Sequence, residues 1–276
     1  MLTNKQLSDI EALQREVEIY DEIALKLNWD MLRMRNTNKN DLFFYKENDL
    51  VGFIGLYAFG STVEITGMIK PSERRNGYFT TLFAEAMNII RENGYNKTLL
   101  NAPKSALSAK QFLKKQGAVY SFTEYQMKWQ PTPIAFTSGF SLREATSEDL
   151  DLRVQLNVDG FGIEKAEALK REKELADEMA NDADSDEWMI DVDRQPIGMI
   201  RVTREGNEAW IYGFSILPLY QGKGIGRKVL QSIVKQKSEK GYTVHLEVET
   251  ENNRALSLYE SVGFEVVQGQ DYYTYN

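Results

Sequence analysis

The segment IYGFSILPLYQGKGIGRKVL, residues 211–230, contains the most informative pattern of this chain. Its apolar part, Tyr212 to Leu217, predicts a buried strand, and Pro218 ends that strand because proline cannot donate a hydrogen bond to a sheet ladder. Three glycines then stand at alternate positions, and an amphipathic helical pattern begins directly after them. A strand, a glycine-rich turn and a helix amino terminus together present free backbone N–H groups to an anion. The segment therefore predicts a phosphate-binding turn.

Two common phosphate-binding motifs do not fit this turn. A Walker loop needs Gly-x-x-x-x-Gly-Lys-Ser/Thr, which is absent, and the third glycine of a dinucleotide fingerprint would fall on Arg227 or Val229. The turn instead resembles the Gln/Arg-x-x-Gly-x-Gly/Ala signature of the GNAT superfamily of N-acetyltransferases, with Gln221, Gly224 and Gly226 at its defined positions. For this segment alone, a glycine-rich turn that only caps a helix is the alternative interpretation.

A second pattern downstream resembles another part of the same family. Residues 243–249 (TVHLEVE) alternate apolar and polar side chains and predict a strand. Residues 252–264 (NNRALSLYESVGF) are similar to the family's Asn-x-x-Ala-x-x-Leu-Tyr-x-x-x-Gly-Phe at every defined position. Two patterns in the family's order and spacing identify the chain as a member of this superfamily.

The resemblance implies how the co-substrate acetyl-CoA is bound. In the family, backbone amides of the glycine-rich turn hold the pyrophosphate, and the preceding strand pairs with the pantetheine arm. No metal is implied. Carried over to this sequence, the implied acetyl-CoA contacts are Phe214, Ile216, Leu217, Gln221, Gly222, Lys223, Gly224, Ile225, Gly226, Arg227 and Asn252.

The resemblance also implies a proton donor and a base. Tyr259 matches the family's tyrosine near the CoA sulfur, where a phenol can donate a hydrogen bond to a forming thiolate; an aromatic residue of the core is the alternative. Glu247 lies in a Leu-Glu-Val string similar to that of amino-terminal peptide acetyltransferases, where the glutamate deprotonates the amine directly or through water. Because this string is short, a solvated glutamate of the strand is the alternative. Glu249 shares its face of the strand and is the reserve candidate. His245 is a further alternative, although a lone histidine is more often structural.

The order of elements around the turn occurs twice in the chain. Pro71 precedes Pro218 by 147 residues, and Gly77 precedes Gly224 by the same spacing. We therefore predict a mixed α/β protein with two tandem GNAT folds, each a mixed, mostly antiparallel sheet flanked by helices. The predicted domains are residues 1–130 and 140–276, joined by a linker at 131–139 that contains two prolines.

The first copy differs from the second where the chemistry should lie. Phe79 replaces the last glycine of the turn, so a bulky side chain is expected where phosphate would approach. Leu113 stands at the position of Tyr259, and no counterpart of Asn252 with Ala255 was found at the right spacing. We therefore expect one working site, in residues 140–276, with one acetyl-CoA per chain. The first copy is then a degenerate scaffold, or one wall of the acceptor pocket.

Composition narrows the class of protein. The chain has a net charge of −8, one histidine and no cysteine, which excludes disulfides, thiolate metal sites and a cysteine nucleophile and disfavours nucleic-acid binding. It contains no apolar run of the roughly 18 residues that a membrane span needs and no export-signal pattern, so a cytoplasmic location without membrane attachment is expected. Residues 164–187 are strongly acidic. They are either a rim that attracts a cationic amine or an ordinary solvated helix face.

These observations predict an acetyl-CoA-dependent N-acetyltransferase in which a primary amine attacks the thioester directly. The acceptor is a small amine or a peptide amino terminus, and the sequence does not choose between them. The alternative function is a CoA-binding or partner-binding pseudoenzyme without turnover. The sequence also leaves open the oligomeric state and any ligand of the first copy.

Overall fold

The computed structural model describes residues 1–37, 39–134, 137–179 and 184–275, with backbone alone for 176–179. The chain divides into two compact units. Unit 1 contains Met1–Glu124 and Gln268–Asn276, and unit 2 contains Tyr125–Val267. The last residues of the chain therefore belong with its first half. The domain boundaries predicted from the sequence stay a prediction, and residues 135 and 136 of the predicted linker lie outside the described residues.

Unit 1 begins with helices and continues as a sheet crossed by further helices. Its elements are α1 (Asn4–Asp21), α2 (Trp29–Met34), β1 (Asp41–Lys46), β2 (Asp49–Phe59), β3 (Thr62–Ile69), α3 (Tyr78–Asn93), β4 (Lys97–Pro103), α4 (Leu107–Lys115) and the first part of β5 (Val119–Trp129).

The first helix is fixed by its cap and by its apolar stripe. The Thr3 hydroxyl accepts from the Gln6 backbone N–H at 3.2 Å, and the Gln6 side chain accepts from the Thr3 backbone N–H at 2.9 Å. This reciprocal pair is a capping box. The stripe of Ile10, Leu13 and Val17 is buried in the core of unit 1.

The sheet of unit 1 is mostly antiparallel and has helices on both faces. Its strand order is β1-β2-β3-β4, followed by the last part of β11 (Phe264–Tyr275) and by β5. Ile54 and Leu56 of β2 pack in one cluster with α3, whereas Phe53 and Tyr57 pack in another with α1. This alternation follows from the two-residue period of a strand.

Unit 2 repeats this plan with an added opening strand. Its elements are the last part of β5, then β6 (Ser141–Glu144), α5 (Leu150–Phe161), α6 (Lys165–Met179), β7 (Ser185–Val192), β8 (Gln195–Glu205), β9 (Glu208–Ile216), α7 (Ile225–Glu239), β10 (Thr243–Glu249), α8 (Asn253–Val262) and the first part of β11.

The sheet of unit 2 is also mixed and mostly antiparallel. β6, β7, β8 and β9 pair antiparallel in sequence order, and β9 pairs parallel with β10. On one face, the stripe of α7 that includes Val229 and Ile233 packs against Ile200 and Val202 of β8. On the other face, Leu156 of α5 packs with two methionines of β7 and β8. The predicted fold, in which each of two repeated units has mixed, mostly antiparallel strands flanked by helices, is confirmed.

No helix in the described part of the chain is long and apolar enough to cross a membrane. Those same residues contain no group of three or more His, Cys, Asp or Glu side chains arranged to hold a metal ion.

Candidate active site

In unit 2, two neighbouring parallel strands separate and leave a main-chain edge open. β9 and β10 are paired from Glu208 with Thr243 to Ile211 with Leu246. Beyond those residues, the described part of β9 pairs with β8 alone. Gly213 adopts a φ of 56°, and the β8–β9 register shifts at the same place, which marks a bulge. An extended ligand can add to the released edge of β9 as a further strand.

The released edge leads directly into the glycine-rich turn. A short 3₁₀ turn at Pro218–Tyr220 follows β9, and α7 begins at Ile225. Gly222 and Gly224 have φ values of 75° and 77°, which side chains with a Cβ adopt only with strain. Gly224 is the N-cap of α7 and has no side chain to bond the first N–H groups of that helix. Those groups are therefore available to an anion.

Side-chain hydrogen bonds hold the turn against the strand and α8. The Gln221 amide donates to the Ile216 carbonyl at 2.7 Å and accepts from Arg254 Nη1 at 2.9 Å. Arg254 Nη2 lies 3.6 Å from the point where a Cβ would stand at Gly222. The guanidinium thus adds a positive charge beside the turn. Sequence reasoning missed Arg254, because it occupies an undefined position of the second motif; the only signal was a basic residue in the first turn of α8.

The other predicted contacts around the turn have local partners. Arg227 donates to the Ser261 hydroxyl at 3.1 Å, and the Lys223 ammonium lies 5.1 Å from the centre of the Tyr220 ring. Asn252 is the N-cap of α8, since its side-chain oxygen accepts from a backbone N–H of that helix. The side chain of Asn252 therefore stabilises the helix that carries Tyr259.

Tyr259 is a buried side chain of α8. It is 9% exposed and packs in the core of unit 2, with its ring 6.1 Å from that of Phe264. Among the described residues, none forms a hydrogen bond with its hydroxyl. Burial raises the pKa of Tyr259 to about 12, so the phenol keeps its proton at neutral pH.

Glu247 lies where β10 separates from β9. It is the first residue after the last position paired with β9 and is partly exposed, whereas Glu249 is exposed. His245 lies in the paired part of the strand instead. Its ring stacks on Trp210 at 4.9 Å, and its Nε2 lies 2.9 Å from the Thr243 hydroxyl. Burial lowers the pKa of His245, and these contacts give it a packing function.

Part of the acidic segment 164–187 forms ion pairs inside unit 2. Glu172 is buried and pairs with Arg153 at 3.3 Å. Glu187 also pairs with Arg153, and it pairs with Arg201 at 3.2 Å. These two carboxylates are therefore neutralised inside unit 2. Asp182 and the side chains of Asp177 and Glu178 lie outside the described residues.

The first copy of the turn, in unit 1, keeps the backbone conformation of the second. Arg75 and Gly77 have φ values of 68° and 85°. Arg74 Nε donates to the Ile69 carbonyl at 3.3 Å, which repeats the bond from Gln221 to Ile216. The conformation therefore does not depend on every glycine of the motif.

The prediction that the Phe79 side chain obstructs the approach of phosphate to the turn is wrong. Its ring points inward, 4.9 Å from the Phe112 ring, and a Cβ added to Gly67 of β3 would lie 2.7 Å from it. In unit 2, the ring beneath the turn comes from the strand, since Phe214 lies 3.5 Å from the Cβ position of Gly226. In unit 1 the aromatic residue is on the helix and the glycine is on the strand, whereas unit 2 has the reverse arrangement. The replacement of the last glycine in unit 1 therefore fills the core beneath the turn.

Comparison with known proteins gives a family match to both halves of the chain. The model of the acetyltransferase (GNAT) family matches residues 5–118 and 153–264. The N-alpha-acetyltransferase RimI of Mycobacterium tuberculosis is 39% identical over 75 residues, which are 26% of this chain and 46% of the relative. The ribosomal protein bS18 alanine N-acetyltransferase of Haemophilus influenzae is 45% identical over 69 residues, 24% of this chain and 47% of the relative. The chain thus spans about half the length of these curated relatives.

Two solved structures share the fold over nearly the whole chain. A GCN5-related N-acetyltransferase from Sphaerobacter thermophilus gives a TM-score of 0.78 at 14% identity, covering 100% of this chain and 96% of its own. A tandem GNAT protein from the clavulanic acid biosynthesis pathway gives 0.71 at 15% identity, covering 99% and 95%. At such identities the likeness concerns the fold alone.

Proposed function

The chain belongs to the acetyltransferase (GNAT) family, and we propose that it is an acetyl-CoA-dependent N-acetyltransferase whose working site lies in unit 2. One observation carries this proposal: the open edge of β9 runs directly into an anion-binding turn. Two neighbouring elements add side chains that can take part in proton transfer: the Tyr259 phenol of α8 and the Glu247 carboxylate of β10. The family itself uses acetyl-CoA.

The residues of unit 2 suit the two ends of acetyl-CoA. N–H groups from Gly222 to Arg227 and the Arg254 guanidinium would hold the diphosphate. The edge of β9 from Phe214 to Leu217 would pair with the amides of the pantetheine arm. Binding energy from these remote groups would fix the position of the reacting carbonyl.

Two side chains would handle the protons. We assign Glu247 as the base that removes a proton from the amine, directly or through water, because it is the first residue of β10 beyond the segment paired with β9. Tyr259 would donate a hydrogen bond to the sulfur as the thiolate forms. A phenol whose pKa is about 12 is protonated before the thiolate forms, so Tyr259 can donate to the leaving sulfur at neutral pH.

We propose a primary amine as the acceptor and a peptide amino terminus as the first to test. The names of the relatives, an N-alpha-acetyltransferase and a ribosomal protein alanine N-acetyltransferase, favour an α-amino group. The Leu-Glu-Val string around Glu247 points to the same group of enzymes. Peptides with free and blocked amino termini, and a polyamine, would separate the two acceptor classes.

Replacement of Tyr259 by Phe tests the proposed proton donor. We expect kcat to fall by about 100-fold, while the Kd for acetyl-CoA changes by less than about threefold, because the hydroxyl acts mainly as the thiolate forms. Tyr242→Phe is the matched control, since Tyr242 is a partly buried core residue of the same unit. An unchanged kcat would remove Tyr259 as the donor.

Replacement of Glu247 by Gln tests the base, and Glu249→Gln is its control on the same strand face. We expect the first variant to lose the dependence of kcat/KM on an ionised carboxylate and the second to retain it. Intact acetyl-CoA binding with no turnover toward any amine would instead favour a pseudoenzyme.

A further inference from the structure

The two side chains to which we assign proton transfer lie on different faces of the sheet of unit 2. Leu246 and Val248 of β10 pack in the same core cluster as α7 and Tyr259. Because successive side chains of a strand alternate, Glu247 points to the opposite face. An amine that gives its proton to Glu247, while the sulfur meets Tyr259, therefore approaches from the side of Glu247. We call the side of β9 and β10 that carries Glu247 the acceptor face.

Three aromatic rings form a row on the acceptor face. The rings of His245 and Trp210 stack at 4.9 Å with 24° between their planes, and those of Trp210 and Tyr212 stack at 6.5 Å with 19°. Ile211, between the two β9 residues, points instead into the core beside α7. Tyr212 at the end of the row is 42% exposed, and Trp210 is half-buried. The row therefore offers flat aromatic surface to a ligand.

A carboxylate is held beside this row. Glu208 Oε2 accepts from Trp210 Nε1 at 2.9 Å, and the Glu208 side chain is 42% exposed. Glu205 lies opposite Glu208 in the β8–β9 register, so a second carboxylate stands on the same face. Glu208 precedes Tyr212 by four residues, which is about 13 Å along a strand. These carboxylates thus lie at the opposite end of β9 from its open edge.

No nearby cation balances the charge of Glu208. Among the described residues, the one basic group within ion-pair distance is His245, whose Nε2 lies 3.9 Å from Glu208 Oε1. His245 is buried and its Nδ1 has no hydrogen-bond partner there, so protonation would leave a buried donor unsatisfied. Burial accordingly lowers the pKa of His245. Lys128 acts on His245 from β5 without pairing with Glu208, and Arg201 of β8 is already paired with Glu187.

Aromatic rings beside an unbalanced carboxylate suit a basic side chain. A guanidinium can stack on an indole or phenol ring while it donates two parallel hydrogen bonds to a carboxylate. An ammonium group gains the same two attractions without the parallel pair of bonds. A neutral side chain gains only the contact with the rings. The acceptor face therefore favours a cation, and arginine most of all.

We propose that Glu208, Trp210 and Tyr212 form a specificity site that selects acceptor peptides with a basic second or third residue. This inference rests on the proposed function of unit 2 and adds to it the side chain by which the acceptor is chosen. An extended peptide covers about 3.3 Å per residue, so two or three residues and one long side chain span the distance from the open edge to Glu208. The peptide runs along the acceptor face with its basic group over Trp210.

Two peptides that differ only in charge test this site. One has arginine as its second and third residues, and the other has citrulline, which keeps the shape and is neutral. We expect the parent protein to prefer the arginine peptide about tenfold or more in kcat/KM, and Glu208→Gln to reduce this preference to about twofold. Glutamine can still accept from Trp210 Nε1. Glu239→Gln is the matched control, since Glu239 is an exposed carboxylate of α7 on the opposite face, and it should keep the full preference.

The contribution of the rings is tested at Tyr212. Tyr212→Phe keeps the ring and should leave the preference for arginine unchanged, whereas Tyr212→Leu should lower it about threefold. The ratio of the two peptides is the readout, because a general loss of activity or of folding lowers both values alike. An equal ratio in the Leu variant and the parent protein would remove Tyr212 from the site.

A binding measurement separates this inference from the proposed function. Both peptides are titrated by calorimetry into the full chain saturated with CoA, which measures the preference without turnover. A preference for arginine that depends on Glu208, in the absence of any acetyl transfer, would support the specificity site and count against the proposed function alone. Acetyl transfer to both peptides with equal kcat/KM would overturn the specificity site alone. A preference for arginine that persists in Glu208→Gln would overturn it as well.

Discussion

Units 1 and 2 carry the same backbone turn but draw the aromatic ring beneath it from different elements. In unit 2 the ring is Phe214 of β9 and the helix supplies Gly226; in unit 1 the helix supplies Phe79 and β3 supplies Gly67. Each unit therefore has one ring and one glycine in contact. The comparison shows that a residue lost from a motif can be balanced by a residue gained on the neighbouring element.

The two units also share a backbone arrangement but differ in two side chains beside it. Both have parallel strands that part after four paired residues, followed by a turn with two left-handed residues. Only unit 2 places a phenol and a carboxylate at the corresponding positions, which in unit 1 are Leu113 and Asn101. Unit 1 thus keeps the backbone conformation of the turn without the two side chains to which we assign proton transfer in unit 2.

The largest change in stability is expected from a truncation of the chain after Val267. Residues 270–275 pair with β4 of unit 1, and Tyr272 among them is 1% exposed. Their removal should cost more than about 5 kcal/mol of the unfolding free energy of unit 1, because a strand and a buried aromatic are lost together. Hydrogen exchange should show lost protection in β3 and β4 with retained protection in β8 and β9. Equal protection of unit 1 in both proteins would show that the last strand is dispensable.

The next prediction tests whether the ring and the glycine beneath the turn can be exchanged between strand and helix without loss of stability. Gly226→Phe alone should cost about 3 kcal/mol, because Phe214 already occupies the space beneath the turn. The double variant Phe214→Gly/Gly226→Phe reproduces the arrangement of unit 1 and should recover at least half of that loss. Urea unfolding of the four proteins of this cycle measures the coupling. Additive effects of the two substitutions would contradict the exchange.

Much of this comparison could be predicted from the sequence, because strand, turn and helix patterns are local. The strand before each turn and the helix after it depend on neighbouring residues. The repeat of Pro71 in Pro218 is visible in the sequence itself. The exchange of Phe79 with Phe214 could not be predicted, because it depends on packing between elements. Arg254 was missed for a similar reason, since only folding brings it to Gln221.

The stabilities of the two units should change with pH in opposite directions. The larger change is expected from Asp41 of unit 1. Its side chain is buried 3.4 Å from Arg35 Nε, and burial raises the pKa of Asp41 to about 6. The folded state therefore binds this proton more tightly than the unfolded state. The associated stability is fully present below pH 4 and is lost as the pH rises through 6.

The substitution Asp41→Asn should remove this loss of stability at higher pH. At pH 7.5 the variant should be more stable than the parent protein by roughly 3 kcal/mol, and near pH 4 the two should be similar. Urea unfolding from pH 4 to 8 measures the difference. Lower stability of the variant at pH 7.5 would mean that the pair with Arg35 outweighs the burial of the carboxylate.

Asp149 of unit 2 gives the smaller effect, with the opposite sign. Its carboxylate accepts from Arg143 Nη2 and Nη1 at 2.6 and 2.8 Å and from the Thr146 backbone N–H at 2.8 Å. Hydrogen bonds from Arg143, followed by those from Thr146, lower the pKa of Asp149 to about 2. The folded state therefore binds this proton less tightly, and the stability it contributes is present above pH 4 and is lost as the pH falls toward 2.

Asp149→Asn should therefore destabilise unit 2 by roughly 2 kcal/mol at pH 7, and the difference from the parent protein should shrink as the pH falls below 4. Hydrogen exchange of α5 and β6 between pH 5 and 7 and urea unfolding from pH 3 to 7 measure the two parts of this prediction. Asp151→Asn is the control, since Asp151 is an exposed carboxylate in the first turn of the same helix. A pH-independent loss in Asp149→Asn would assign the contribution of Asp149 to packing, and the two units would then not differ in the sign of their response to acid.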